Sequence, residues 1–207
     1  MLTAAQKKKF LLRVATYGGL LAAPASLPRI PEAEWRRFEA MLRPVRLRKG
    51  DFFIRPGEPA RTFALVVSGL LRFYYIDRAG KEATKAFRGA YELAAAYPEM
   101  LLGIPSRSHV EALEECELLV GRHEDWKALY RRHPCWLEVG RLSAEQYFIA
   151  KERREFEFLQ QSAAERYKNF LREQPKLAAR LPQYQIASYL GITPVALSRI
   201  VGRLKKE

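Results

Sequence analysis

Between Gln183 and Leu204 the sequence places a glycine, Gly191, a proline, Pro194, and two apolar stripes at positions that few backbones satisfy. Ile186, Ala187 and Leu190 make the apolar face of a short helix, and Gly191 then permits the positive φ of a tight turn. Thr193 offers a hydroxyl cap for a second helix, and Pro194 suits the first helical position, where no amide donor is needed. Leu197, Ile200, Val201 and Leu204 follow at i, i+3, i+4 and i+7. The spacing predicts two helices crossing at close range, with the small Ala187 at the crossing and aliphatic side chains clamping the second helix.

An ordinary helical hairpin and a helix-turn-helix both satisfy that pattern, and charge separates them. The outer face of the second helix carries Ser198, Arg199, Arg203, Lys205 and Lys206, with no acid before Glu207. Residues 163–207 hold nine Lys or Arg against three Glu, so the basic bias is local to the motif. Such a face attracts phosphate, while base edges must be read from the first turns of the second helix. The expected DNA-contacting set is Gln183, Tyr184, Thr193, Pro194, Val195, Ser198, Arg199, Arg203 and Lys205. Within it Val195 offers apolar contact to a thymine methyl, and Arg199 can bond guanine O6 and N7. Arg203, Lys205 and Lys206 are expected on phosphates or in solvent.

The whole chain is basic too: 36 Lys plus Arg against 23 Asp plus Glu, a net charge of +13. That favours a polyanionic partner, either nucleic acid or an anionic membrane surface. No stretch approaches the roughly 20 apolar residues of a spanning helix, so no membrane partner is expected. Lys7-Lys8-Lys9 followed by Phe10-Leu11-Leu12 and then Leu20 to Ser26 imitates a signal peptide, but Arg13 and Gly18-Gly19 break the apolar run. A short amphipathic helix and a cytoplasmic protein are the expectation. Cys116 and Cys135 sit in apolar stretches without CxxC or Cys/His spacing, which fits neither a disulfide scaffold, nor structural zinc, nor an iron–sulfur cluster.

Upstream, Ala33, Trp35, Phe38 and Met41-Leu42 recur at helical spacing behind Pro31. Strand-like runs follow between turn signals: Val45 to Arg48, Phe52 to Ile54, Phe63 to Val67, Leu70 to Ile76, His109 to Leu113 and Glu117 to Val120. Their composition and spacing indicate an antiparallel sandwich or barrel. From Pro134 to Pro175 no proline intervenes, which reads as long helix. Leu142, Ile149 and Phe156 fall seven apart, with Val139, Gln146 and Arg153 on the companion stripe: a partly polar dimer seam, or a helix packing on its own β-domain. Ser162-Ala163-Ala164-Glu165 reads as a capping box that starts a new helix. The expected architecture is α+β: a helical extension over 1–30, an antiparallel, jelly-roll-like β-roll with flanking helices over 31–133, a long dimerisation helix and hinge over 134–160, and an all-α helix-turn-helix domain over 161–207.

These residues resemble the Crp/Fnr superfamily of bacterial transcription regulators. Lys49-Gly50-Asp51 through Pro56-Gly57-Glu58, Ala64 to Val67, Ser68-Gly69 and Asp77-Arg78-Ala79-Gly80-Lys81-Glu82 are similar to its cyclic-nucleotide-binding β-roll, and Val110 to Leu119 resembles the closing strands. The resemblance implies a homodimer joined along the long helix, a near-palindromic DNA site, RNA polymerase as a further partner, and a signal passed through a hinge near Phe158 to Ser162.

The chain departs from the family pattern in informative places. Cyclic-AMP binders carry a Gly-Glu pair followed about ten residues later by Arg-Ser; Arg107-Ser108 matches the second half, but Tyr97 stands where the first half belongs. The ribose carboxylate is missing unless Glu92 serves, so the expected effector pocket is Glu92, Arg107, Ser108 and Ile149. Ile149 and Ala150 align where cyclic-AMP binders place hydroxyls against adenine, and an unpaired amino group there costs free energy. Cyclic AMP is disfavoured as effector, and no cofactor is expected. Pro194 and Val195 replace the familiar Arg and Glu of the recognition helix, and the sequence stops soon after Lys206, leaving little or no room for a β-hairpin wing. An enzyme of the related metal-dependent barrels would need clustered ligands, whereas His109, His123 and His133 are scattered. The remaining alternative is a ligand-sensing module that regulates a protein partner and binds DNA without sequence preference.

Overall fold

The computed structural model describes residues 1–16 and 27–204. Gly18-Gly19, the Leu20 to Ser26 run, and Lys205, Lys206 and Glu207 of the expected basic face lie outside the described residues. Two compact units make up the chain: residues 1–73 with 87–148, and residues 74–86 with 149–207.

In the first unit, helix α1 (Ala4–Thr16) is the short amphipathic helix expected near the N-terminus, and α2 (Glu32–Ala40) follows. Pro31 stands just before α2, and its carbonyl accepts the amides of Glu34 and Trp35. Strands β1 (Arg43–Leu47), β2 (Phe52–Ile54), β3 (Thr62–Ser68), β4 (Leu71–Ile76), β5 (Glu82–Arg88), β6 (Leu93–Ala94), β7 (His109–Ala112) and β8 (Cys116–Arg122) form two four-stranded sheets. One runs β1-β8-β3-β6 and the other β2-β7-β4-β5. The β1–β8 pairing is antiparallel with Val45 opposite Leu118, and β3–β8 sets Leu65 opposite Leu119. Two helices escape the sequence pattern, α3 (Tyr97–Leu102) and α4 (His123–Tyr130). Strands β5 and β6 escape it as well.

An aromatic cluster is the core of this unit. Phe10, Trp35, Phe38, Phe63, Trp126 and Trp136 are buried together, with Phe38 lying 5.1 Å from Trp136 and 5.6 Å from Trp126 between ring centroids. Aromatic rings at such spacing, mostly edge-to-face, gain energy beyond their buried area. Helix α1 contributes Phe10, Leu11 and Val14 to it, so the N-terminal extension is an integral part of the core rather than an appendage. The buried carboxylate of Glu34 is answered by the Trp136 indole N–H at 3.0 Å and by Arg37. Burial opposes its charge, but those two donors outweigh burial and hold the carboxyl below the usual carboxylate range.

Helix α5 (Pro134–Gln160) is the long helix read between the two prolines. Its heptad stripes face differently from the expected seam. Val139 and Gln146 are buried within their own chain and are closed to a partner, because the first half of α5 needs them for intramolecular packing. Ile149 and Phe156 are exposed, the latter at 58%, and Phe148 and Leu159 join them as exposed apolar residues. Leu142 is half-buried against the aromatic core, and Arg153 is half-buried and bonded to Glu157 and Glu173.

The second unit holds the end of α5, helices α6 (Ala163–Glu173), α7 (Pro175–Ala178), α8 (Gln183–Leu190) and α9 (Pro194–Leu204), and the tip of the β4–β5 hairpin. Asp77 closes that hairpin by accepting the amides of Ala79 and Lys81, each at 2.9 Å. The capping box forms as read: Ser162 Oγ accepts the Glu165 amide, and the Glu165 carboxylate accepts the Ser162 amide at 2.7 Å. The sequence boundary near residue 160 coincides with the junction of α5 and α6, whereas the compact units divide within α5, between Phe148 and Ile149.

Among the described residues no helix is long and apolar enough to cross a membrane.

Candidate nucleic-acid interface

Helices α8 and α9 share a small apolar centre. Ile186, Ala187, Leu190 and Leu197 are buried, Leu197 completely, and Phe170 and Leu181 of the same unit are buried as well. The turn between the helices follows from Gly191 at φ 72°, in the left-handed region. Its amide donates to Ser188 O, and the Ile192 amide reaches back to Ala187 O at 3.0 Å. Gly191 is also pressed by Phe158: a Cβ there would stand 2.6 Å from the ring. The Thr193 hydroxyl accepts the Ala196 amide at 3.2 Å, the N-terminal cap expected from its position.

The end of α8 has an unusual closure. The last carbonyls of a helix lack internal partners. Here Arg154 from α5 donates to Tyr189 O at 2.7 Å, and Arg166 from α6 donates to Leu190 O at 3.1 Å. Both guanidinium groups lie over the Phe158 ring, at 4.7 and 4.8 Å, and Arg154 also covers Tyr189 at 4.0 Å. Beside them Arg153 pairs with Glu173 and Glu157. Burial works against its charge, but the two carboxylates prevail and keep its pKa above the ordinary range. The result fixes the end of α8 to α5 and α6 through arginine side chains bonded to its last carbonyls.

The opposite face is open. Gln183, Tyr184, Thr193, Pro194, Val195, Ser198, Arg199 and Arg203 are all exposed. Val195, Ser198 and Arg199 stand at i, i+3 and i+4 of α9 and share one side, with the buried Leu197 turned away from it. From Pro175 to Leu204 there are four Lys or Arg and no acid. That surface presents hydroxyl, methyl and guanidinium groups of the kinds that read base edges.

The expected effector residues lie apart from one another in their chemistry. Ser108 is buried, its amide bonded to Ser106 Oγ at 3.1 Å, and its own hydroxyl has no partner. Arg107 is largely exposed and faces Glu99 of α3, 3.9 Å away. Glu99 is the carboxylate that sequence reasoning missed; only its position eight residues before Arg107 signals it. Glu92 is occupied elsewhere, accepting the Gly89 amide at 2.7 Å and pairing with Arg13 at 3.6 Å. Tyr97 lies 6.0 Å from Tyr147, and burial pushes its hydroxyl pKa up. Ile149 belongs to the other compact unit. Cys116 and Cys135 are buried free thiols.

Residues 44–133 match the profile of the cyclic nucleotide-binding domain. No curated protein matches the sequence. Among solved structures, the chain resembles the c-di-GMP-responsive global regulator CLP of Xanthomonas campestris, with a TM-score of 0.68 at 18% identity over 85% of this chain and 92% of that one. FixK2 of Bradyrhizobium japonicum aligns with a TM-score of 0.68 at 21% identity, over 80% of this chain and 85% of that one. A Eubacterium rectale protein assigned to the Crp/Fnr family of transcriptional regulators gives 0.64 at 18%, over 85% and 84%. Residues 44–133 are thus similar to the cyclic nucleotide-binding domain, and the fold of the chain is similar to that of these solved regulators.

Proposed function

We propose that this chain is a sequence-specific DNA-binding transcription regulator, working in the cytoplasm as a homodimer on a near-palindromic site. The observation that carries the reading is the exposed, acid-free face of α9, with Val195, Ser198 and Arg199 aligned on one side and Leu197 buried on the other. Arg199 is the principal base reader, Val195 and Ser198 its neighbours in the groove, and Arg203 a phosphate contact. The partner half-site is read by a second copy joined along α5, where Phe148, Ile149, Phe156 and Leu159 leave an apolar strip in solvent. Such a strip is what a partner helix covers. RNA polymerase is the machinery on which the bound dimer acts.

Cyclic AMP is not the effector in this reading. Glu92 is committed to Gly89 and Arg13, and Ile149 and Ala150 offer no hydroxyl to an adenine. The test is selection of genomic fragments by the full-length protein at two salt concentrations. A specific regulator keeps a few preferred loci at the higher salt, whereas loss of all preference refutes the reading. On a selected site, Arg199→Ala relaxes preference at one base pair per half-site, at about 1–3 kcal/mol. Equal weakening on every sequence would make Arg199 a phosphate contact.

A further inference from the structure

The tip of the β4–β5 hairpin and the helix-turn-helix belong to one compact unit although about a hundred residues separate them. Three hydrogen bonds meet at Ser188 of α8. Its hydroxyl oxygen accepts the Thr84 amide at 3.0 Å and the Thr84 hydroxyl at 2.9 Å, and its own proton goes to Glu82 O at 3.1 Å. Thr84 is only 3% exposed. One nitrogen of Arg154 then donates both to Thr84 O, at 3.1 Å, and to Tyr189 O, at 2.7 Å. A single guanidinium therefore ties three elements together: α5, on which it stands, the hairpin, and the end of α8. None of these bonds uses the exposed face of α9, which stays open while they are closed.

We propose that Arg154 and Ser188 are positioning residues for DNA recognition, which make the hairpin tip a structural part of the reading head. This rests on the DNA-binding reading of α9. The consequence concerns where the head can pivot. Turning α6–α9 at the junction of α5 and α6 would break the Arg154 bond to α8, part Arg166 from Gln161 O and the Phe158 ring, and pull Phe158 off Gly191. The unit containing α9 is instead joined to the rest of the chain at three peptide links: Phe73–Tyr74, Ala86–Phe87 and Phe148–Ile149. A displacement of the hairpin strands then reaches α9 through Thr84 and Ser188, with no need for a flexible hinge near Phe158 to Ser162.

The test uses the full-length protein in two arms, amide hydrogen exchange and affinity for a duplex selected by the wild type from a random library. Ser188→Ala should speed exchange at the Thr84 amide roughly three- to tenfold, as expected for loss of a partly buried bond. Arg154→Ala should speed exchange across residues 187–191. Each should weaken the selected duplex about tenfold, the scale of a modest coupling between sites. Thr84→Ser, which keeps the hydroxyl, should match the wild type in both arms, whereas Thr84→Val should follow Ser188→Ala in the binding arm. Unchanged exchange at Thr84 in Ser188→Ala would show that the contact does not form and would overturn the proposal. Faster exchange with wild-type affinity would overturn it differently, by showing that the hairpin does not position α9. A wild type with no duplex preference defeats the DNA reading itself, and the exchange arm still reports on the contact.

Discussion

Replacing Gly191 by alanine tests the geometry of the reading head most sharply, because two separate effects point the same way. The residue sits at φ 72°, where a side chain costs about 1–2 kcal/mol. Its new Cβ would also lie 2.6 Å from Phe158 Cε1, against an ordinary carbon–carbon separation of about 3.5–4.0 Å. Phe158 must therefore move by about 1 Å, disturbing its contacts with the guanidinium groups of Arg154 and Arg166, and forcing atoms into a packed site costs about 1–3 kcal/mol. Together the two effects destabilise the unit by about 2–5 kcal/mol. Gly202 supplies the control within the same helix pair. It lies inside α9 with nothing within 4 Å of its would-be Cβ, so Gly202→Ala should stabilise by about 0.5–1 kcal/mol. Urea unfolding followed by far-UV ellipticity measures both variants. Tryptophan fluorescence should move less, since Trp35, Trp126 and Trp136 all lie in the core of the other unit. The reasoning is refuted if Gly191→Ala shifts the ellipticity midpoint to the same side of wild type as Gly202→Ala.

Further expectations concern the dimer strip, the cap and the acid limb. Phe156→Glu places a charge on the exposed strip of α5; light scattering should show monomers, with chain stability within about 0.5 kcal/mol of wild type. An unchanged dimer would move the interface elsewhere. Thr193→Ala removes the cap of α9 and should lower stability by about 1 kcal/mol in urea unfolding, whereas Thr193→Ser should not. Glu34 is ionised in the fold to a lower pH than in the unfolded chain, so it stabilises the native state above the ordinary carboxylate range. That stabilisation is lost as pH falls through the lowered folded value. Glu34→Gln keeps an oxygen for the Trp136 indole but cannot ionise, and it should flatten the acid limb of a stability–pH profile; an identical limb in both proteins would show that Glu34 does not contribute to it.

What the sequence made legible, and what it concealed, divides by the range of the interactions involved. The turn at Gly191, the Thr193 cap, the box at Ser162 and the buried stripe of α8 and α9 are set by neighbours within a few residues, and the periodicity displays them. Strand β5 was hidden because Glu82 to Arg88 mixes alanines with charged residues and earns its place only by pairing in the sheet. Helix α3 was hidden by Pro98, which here occupies a first-turn position. The companion stripe on α5 left two readings open for a related reason: heptad spacing shows that Val139 and Gln146 share a side, but not whether their own chain already fills it, as it does. Thr84 meeting Ser188 and Glu99 facing Arg107 leave no periodic trace at all. Those side chains are polar, distant along the chain or differently phased, and only the folded backbone brings them together.

The junction between α5 and α6 has a consequence for the operator. Only Gln161 and Ser162 separate the two helices, and both are engaged: the Gln161 amide bonds Glu157 O at 3.1 Å, its side chain accepts from Asn169 at 3.0 Å, and Ser162 closes the capping box. There is no slack in this connection to absorb a change of distance or azimuth. Each base pair inserted between half-sites turns the second one by about 34–36° and moves it about 3.4 Å along the duplex. In the proposed dimer such a junction would measure the spacer as strictly as the bases, and adding one base pair to the centre of a palindromic site should leave the protein gripping a single half-site.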